Sequence, residues 1–131
     1  WSLSNKFYPG DDKIKKTLGE VIRGFSSKGH VIIVGRAGVA LTRDNPNTLH
    51  IRLIAPLEWR IQNVSERQQL SNDESRNKIK QIDIKRSNLL KYFGVDPADQ
   101  ALFDIMLNYK NMDENEIMEV IIKIMEQRNY I

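Results

Sequence analysis

The chain has 131 residues, the size of one ordinary domain. Its 40% hydrophobic and 28% charged residues are the balance of a globular protein rather than a disordered one. The absence of cysteine excludes a disulfide framework and thiolate metal sites, and no run of about 18 apolar residues is present to form a membrane-spanning helix. The formal net charge of +3 is unevenly placed: the stretch from Arg60 to Lys91 carries +4 and the rest −1. Such a local basic field attracts phosphates, although a solvated helix face is the plainer explanation of a charge-rich helix. The opening residues from Trp1 to Lys6 show neither an initiator Met nor the apolar core of a signal peptide. A fragment or processed piece of a cytoplasmic protein is therefore expected.

In chain order, the breaker Pro9-Gly10 precedes a helix capped by Asp11 or Asp12. Ile14, Leu18, Val21, Ile22 and Phe25 recur along it at helical spacing, and Gly29 closes it. Val31 to Val34 is a short β-branched run of the kind found in buried parallel strands. It leads into a turn at Gly35-Arg36-Ala37-Gly38, a short helix at Val39 to Leu41, and a loop at Asp44 to Asn47. Leu49 to Ala55 reads as a second strand. Pro56 stands at a first helical position, with Leu57, Ile61 and Val64 as the apolar stripe behind it. Ser71 and Glu74 match a capping box for a helix running to about Tyr92 and ending at Gly94. A third strand at Leu102 to Leu107 is followed, after Asn111 to Glu114, by an amphipathic helix carrying Ile117, Val120, Ile121, Ile124 and Met125.

Alternating strands and helices predict an α/β fold with three parallel strands, the sheet covered by helices on both faces. Ligands in such sheets bind beyond the carboxyl ends of the strands. That edge would gather Gly35-Arg36, the Ala55-Pro56 turn and Asn108-Tyr109, a one-sided site rimmed by arginines.

Several chemistries fit poorly. His30 and His50 stand at strand starts without paired ligand spacing and read as structural. The stretch from Gly24 to Gly29 imitates a phosphate-binding loop, but His30 and Val31 replace the needed Lys and Ser/Thr, and it runs from helix into strand. Gly35 to Gly38 could suggest the clamp of an RNA-binding KH domain, which however joins two helices. Aromatic residues are sparse in the basic stretch, so stacking platforms for single strands are not evident.

Three stretches taken together resemble a known family: Val31 to Arg36, Asn47 to Leu53, and Ala55 to Ile61. The family is that of the cytidylate kinases, a nucleoside monophosphate kinase branch of the P-loop fold. Lys6 to Pro9, Asp83 to Arg86, Lys91 to Asp96, Phe103 to Asn108 and the last helix continue the resemblance in order over nearly the whole chain. It implies a three-layer α/β/α domain over residues 1–131, with a lid at about 68–93, and phosphoryl transfer from ATP with Mg2+ to a nucleotide such as CMP. Among the family's substrate-binding residues, Arg36 would meet the acceptor phosphate, Asp83 the ribose, and Arg86 a phosphate. Arg60 and Arg67, seven residues apart on one helix face, would join Arg86 as catalytic residues on the transferring group. These residue types suit the task, because phosphoryl transfer needs positioned positive charge and guanidinium forks grip phosphate in bidentate fashion.

Three departures accompany the resemblance. Ala37 stands where cytidylate kinases carry the Asp that helps recognise the base, and Ile79 stands where a further lid arginine falls. The strand and Gly-rich loop that hold ATP do not occur in these 131 residues. The expectation is thus the acceptor site, lid and C-terminal half of a nucleotide kinase, inactive alone. It would associate with a missing N-terminal segment or with another copy, the absent strand leaving two open sheet edges. A non-catalytic nucleotide-binding module with the same arginines is the alternative. A basic, helical nucleic-acid-binding domain is more distant, so a nucleic-acid partner is not expected.

Overall fold

The structure, a computed structural model, describes residues 12–131. The Lys6 to Pro9 stretch, the Pro9-Gly10 breaker and the Asp11 cap lie outside the described residues. The elements are α1 (Asp12–Lys28), α2 (Gly38–Thr42), β1 (Ile51–Ile54), α3 (Leu57–Gln68), α4 (Asn72–Tyr92), β2 (Ile105–Asn108) and α5 (Glu114–Gln127), with a 3₁₀ turn at Gln100–Leu102. They fall into two compact units: residues 12–48 with 86–102, and residues 49–85 with 103–131.

In the first unit α2 lies on α1. Ile22, Ala37 and Val95 are its buried apolar residues, and Gly19, Gly38 and Thr42 are buried with them. Close approach explains the glycine at 38, where a Cβ would come within 3.3 Å of the Ile33 side chain. Thr42 satisfies its buried hydroxyl by donating to the Gly38 carbonyl at 2.9 Å. Lys15 places its ammonium 4.8 Å from the centre of the Tyr92 ring, a cation–π contact that ties α1 to the end of α4. α4 stops at Gly94, whose φ of +75° reverses the chain while Val95 N–H bonds back to the Leu90 carbonyl.

One expected strand is absent. Val31 to Val34 form no ladder, and Ile32 and Val34 are 91% and 85% exposed. Apolar, β-branched composition makes a strand only when a neighbouring strand takes up the backbone N–H and C=O groups. No described segment does so here. Val31 to Val34 have the residue types of a strand, but among the described residues no strand pairs with them.

The second unit holds a two-stranded parallel sheet, with Ile51 opposite Ile105 and Ile54 opposite Asn108. Both strands are shorter than expected. Residues 102–104 are diverted by the 3₁₀ turn and by Asp104, which receives the His50 N–H on its carboxylate at 2.7 Å and donates its own N–H to the His50 carbonyl at 2.9 Å. Pro56 caps α3 rather than opening it, so its missing N–H costs the helix nothing. The Ser71–Glu74 capping box forms as expected, and these hydrogen bonds hold the Glu74 carboxyl below the usual range. A second box, Asp113 with Glu116, starts α5. Ile61, Ile79, Leu107 and Ile117 are the buried apolar core.

Where the chain enters the sheet, three side chains form a clamp. Asp104 accepts from Arg128 at 3.0 Å and lies 3.6 Å from His50 Nδ1. Burial by itself would raise the Asp104 pKa, but the His50 N–H and the Arg128 guanidinium outweigh it and hold the carboxyl below its usual range. Burial lowers the His50 pKa, against the pull of Asp104. At neutral pH His50 is therefore uncharged, and Arg128 and the backbone do the holding.

Both native pKa values lie below their unfolded ones, so the folded state binds fewer protons and stability is complete above about pH 6.5. It should fall on acidification in two stages, first as His50 is forced to charge and then as Asp104 is forced to protonate. Urea midpoints measured against pH should show both, with His50→Gln flattening the upper stage and Asp104→Asn the lower. Ser75 offers a second test. Its hydroxyl is fully buried on α4, one turn from Ile79, without a hydrogen-bond partner among the described residues. Ser75→Ala should therefore be neutral or stabilising by about 1 kcal/mol in the same measurement; a clear loss would reveal a partner for the hydroxyl.

Candidate functional site

The two strands of the second unit end together, at Ile54 and Asn108, and the Tyr109 N–H reaches across to the Ile54 carbonyl at 2.8 Å. Their carboxyl ends thus share one edge, as a ligand site in a parallel sheet requires. α3 leaves from that edge at Pro56 and carries two of the arginines singled out in the sequence.

Arg60 makes a bidentate pair with Asp83 of α4, both N···O distances being 2.8 Å. The two residues are 23 positions apart, and their side chains are 30% and 43% exposed. Donating to the Asp83 carboxylate raises the arginine's pKa further. The structure therefore brings together an arginine expected at the phosphoryl group and a carboxylate expected at the ribose, and it occupies each with the other. Arg86 lies one turn beyond Asp83 on the same helix and is exposed, which is the i, i+3 placement read from the sequence.

Arg67, in the last turn of α3, is exposed and acts on the phenol of Tyr109. That phenol donates to Glu114 at 2.7 Å, which raises its pKa while Arg67 opposes the rise. Trp59 meets the Tyr109 ring edge-on, with centroids 5.6 Å apart. This group of Trp59, Arg67, Tyr109 and Glu114 was not legible beforehand. Only the position of Tyr109 at a strand end hinted at it.

In the first unit Arg36 is exposed within a turn where Gly35, Arg36 and Ala37 all have positive φ, at 70°, 55° and 53°. Left-handed backbone at two residues with a Cβ is strain of the kind that concentrates at functional turns. The same geometry bears on the Ala37 departure, because Asp tolerates this conformation better than Ala does. The Ile79 departure has a packing reason: Ile79 is 4% exposed, so that position of α4 faces the core and cannot present an arginine to a ligand.

Among the described residues no group of three His, Cys, Asp or Glu could hold a metal ion, and no helix is long and apolar enough to cross a membrane.

An α/β unit with a small parallel sheet and an arginine-rimmed carboxyl edge is the kind of frame nucleotide kinases use. The chain belongs to the cytidylate kinase-like family, whose sequence profile matches residues 4–111. It is 29% identical over 127 residues to a cytidylate kinase of Sulfolobus acidocaldarius, covering 95% of this chain and 69% of the relative. It is 33% identical over 110 residues to the cytidylate kinase of Methanopyrus kandleri, covering 76% and 56%. A cytidylate kinase of Saccharolobus islandicus is 30% identical over 115 residues, with 86% and 58% covered. The chain thus spans little more than half the length of two of these relatives and 69% of the third. The crystal structure of an uncharacterized protein from Eubacterium ventriosum superposes with a TM-score of 0.77 at 21% identity, over 93% of this chain and 69% of that one. At that identity it speaks for the fold alone.

The Arg60–Asp83 pair is partly exposed, and such pairs contribute little. Asp83→Asn should lower stability by only about 0.5–1 kcal/mol. A loss several times larger in urea unfolding would mean that the pair is structural rather than available to a ligand.

Proposed function

We propose that the intact protein is an ATP-dependent nucleoside monophosphate kinase, and that these residues supply its acceptor side, its lid and the C-terminal half of its sheet. The observation that carries the reading is the meeting of Arg60 and Asp83 across 23 residues, two positions assigned to one reaction by the family resemblance alone. In this reading the pair opens when substrate binds. Arg60 turns its fork to the transferring phosphoryl group, joined by Arg67 and Arg86, and Asp83 accepts from the acceptor ribose. Arg36 holds the acceptor phosphate. Once substrate binding has turned and held these guanidinium groups, their charge is in place before transfer begins and stabilises the equatorial oxygens.

ATP and Mg2+ belong to this reading as donor and counter-ion. The guanidinium groups fit acceptor and transition-state charge, whereas no described residue is assigned to magnesium or to the donor's β-phosphate. The exposed, ladderless run from Val31 to Val34 supports a sheet completed by one further strand from outside the described residues, giving the three-layer α/β/α architecture of the family. Residues 68–93 would be the lid, with α4 as its rigid body. The acceptor base is left open by Ala37, so CMP is one acceptor among several to be tried.

A coupled assay with ATP, Mg2+ and each nucleoside monophosphate tests this. The 131-residue chain alone should show no turnover, because losing the donor cradle forfeits roughly 7–11 kcal/mol of positioning. The full-length protein should turn over. In it Arg36→Ala should weaken acceptor use by about 1.5–3 kcal/mol and leave ATP affinity nearly unchanged. Nucleotide binding without turnover in the full-length protein would make it a binding module instead.

A further inference from the structure

A cleft of about 670 Å³ opens in the first unit between α1, the end of α2 with the residues after it, and Phe93. None of Arg36, Arg60, Arg67, Asp83 and Arg86 lines it among the described residues. Its walls carry Lys15, Lys16, Arg23 and Arg43, against two carboxylates, Asp12 and Asp44. The Asp44 side chain is 96% exposed and touches Arg43 only at 4.0 Å, so it neutralises little within the cleft.

Two cations are held in place rather than left to wave in solvent. Lys15 is seated over the Tyr92 and Phe93 rings, 4.8 and 5.8 Å from their centres, which leaves its remaining N–H groups free to turn outward. Arg23 folds back over buried Gly19, where a Cβ would stand 2.8 Å from its Nη2. The missing Cβ is what lets the guanidinium approach the helix at that point. At the far end of α1 the lining turns polar: Asn45 donates to the Ser26 hydroxyl at 2.8 Å, and Ser26 lies 3.4 Å from the Thr48 hydroxyl. From Lys15 to Ser26 the helix rises about 16 Å, too far for one inorganic phosphate and suited to an extended ligand with an anionic end and a hydrogen-bonding end.

We propose that this cleft is a second nucleotide site, taking a nucleoside triphosphate with its phosphates along Lys15, Lys16 and Arg23 and its sugar and base toward Ser26 and Asn45. Four cations in a concave wall of this size are what a polyphosphate requires. The hydroxyl and amide groups give the other end of the ligand directional partners, which a plain solvated helix face would lack. In a nucleotide kinase such a site would sense the pool of triphosphates built from its own product. The proposal does not depend on the kinase reading, since the cleft and the transfer residues share no side chain.

The test is isothermal titration of the 131-residue chain with CTP and ATP without magnesium, with inorganic phosphate and a short single-stranded RNA in parallel. Lys16→Gln and Arg23→Gln should each weaken triphosphate binding about tenfold, the worth of one charge-assisted phosphate contact. Arg36→Gln and Arg60→Gln should change it by less than about twofold. Gly19→Ala supplies a variant that keeps every charge. Its methyl group pushes the Arg23 guanidinium off its seat over Gly19 while favouring the helix, so binding should weaken with the thermal midpoint preserved. Binding that ignores Lys16, Arg23 and Gly19 overturns the proposal, as does binding that depends on Arg36 or Arg60 instead. Tighter binding of the RNA than of either triphosphate, through the same residues, would also overturn it and make the cleft a nucleic-acid groove.

Discussion

Parallel pairing of β1 with β2 joins segments 54 residues apart, and the organisation of the second unit depends on it. A parallel pair cannot be closed by a tight turn, so the intervening chain must make a long crossover, and here α3 and α4 lie within it. The pairing is pinned at both ends. At the entry, Asp104 exchanges hydrogen bonds with His50 and takes a third from Arg128. At the exit, the Tyr109 amide continues the ladder one step beyond the strands. Because both strands run the same way, their carboxyl ends open together, and whatever leaves from that edge is placed beside the candidate site. Arg60 stands near it because only Ala55 and Pro56 separate β1 from α3, and Arg67 reaches it at Tyr109, just after β2.

The arrangement of charge at that edge is economical and conditional. Arg60 satisfies Asp83 with two short hydrogen bonds, and Arg67 shares Tyr109 with Glu114. Neither arginine is left as an isolated cation, which would repel its neighbours in a basic stretch, yet both are solvent-accessible enough to be recruited. A phosphoryl group with its multiple charged oxygens is a stronger partner for a guanidinium fork than one partly hydrated carboxylate. In the proposed function these side chains would serve a transient charge, and partly exposed ion pairs hold them by interactions of modest net value.

The first unit follows a different logic. Its turn at Gly35 to Ala37 is held in left-handed backbone, and its helix α1 turns a cationic face toward a cleft. The strain at Arg36 and Ala37 is local and is accommodated where Ala37 and Gly38 are buried at the start of α2. In both units, therefore, arginines stand on backbone whose geometry is settled by packing nearby rather than by the arginines themselves.

Much of this was legible from residue order. Helical periodicity located α1, α3 and α5, and for α4 the Ser71–Glu74 box marked the start and Gly94 the end, because capping and periodicity depend on neighbours within a few residues. The family was legible as well, since its marks are short local strings. The candidate residues could be named, but not their partners: that Arg60 meets Asp83 and Arg67 meets Tyr109 is a matter of how α3, α4 and β2 pack, over distances along the chain that no local pattern encodes. The sequence also offered Val31 to Val34 and Leu49 to Ala55 alike as strands of one sheet. Tertiary structure separated them, because a strand is defined by the neighbour that takes up its backbone hydrogen bonds. Ile51 to Ile54 finds that neighbour in β2, and Val31 to Val34 finds none among the described residues.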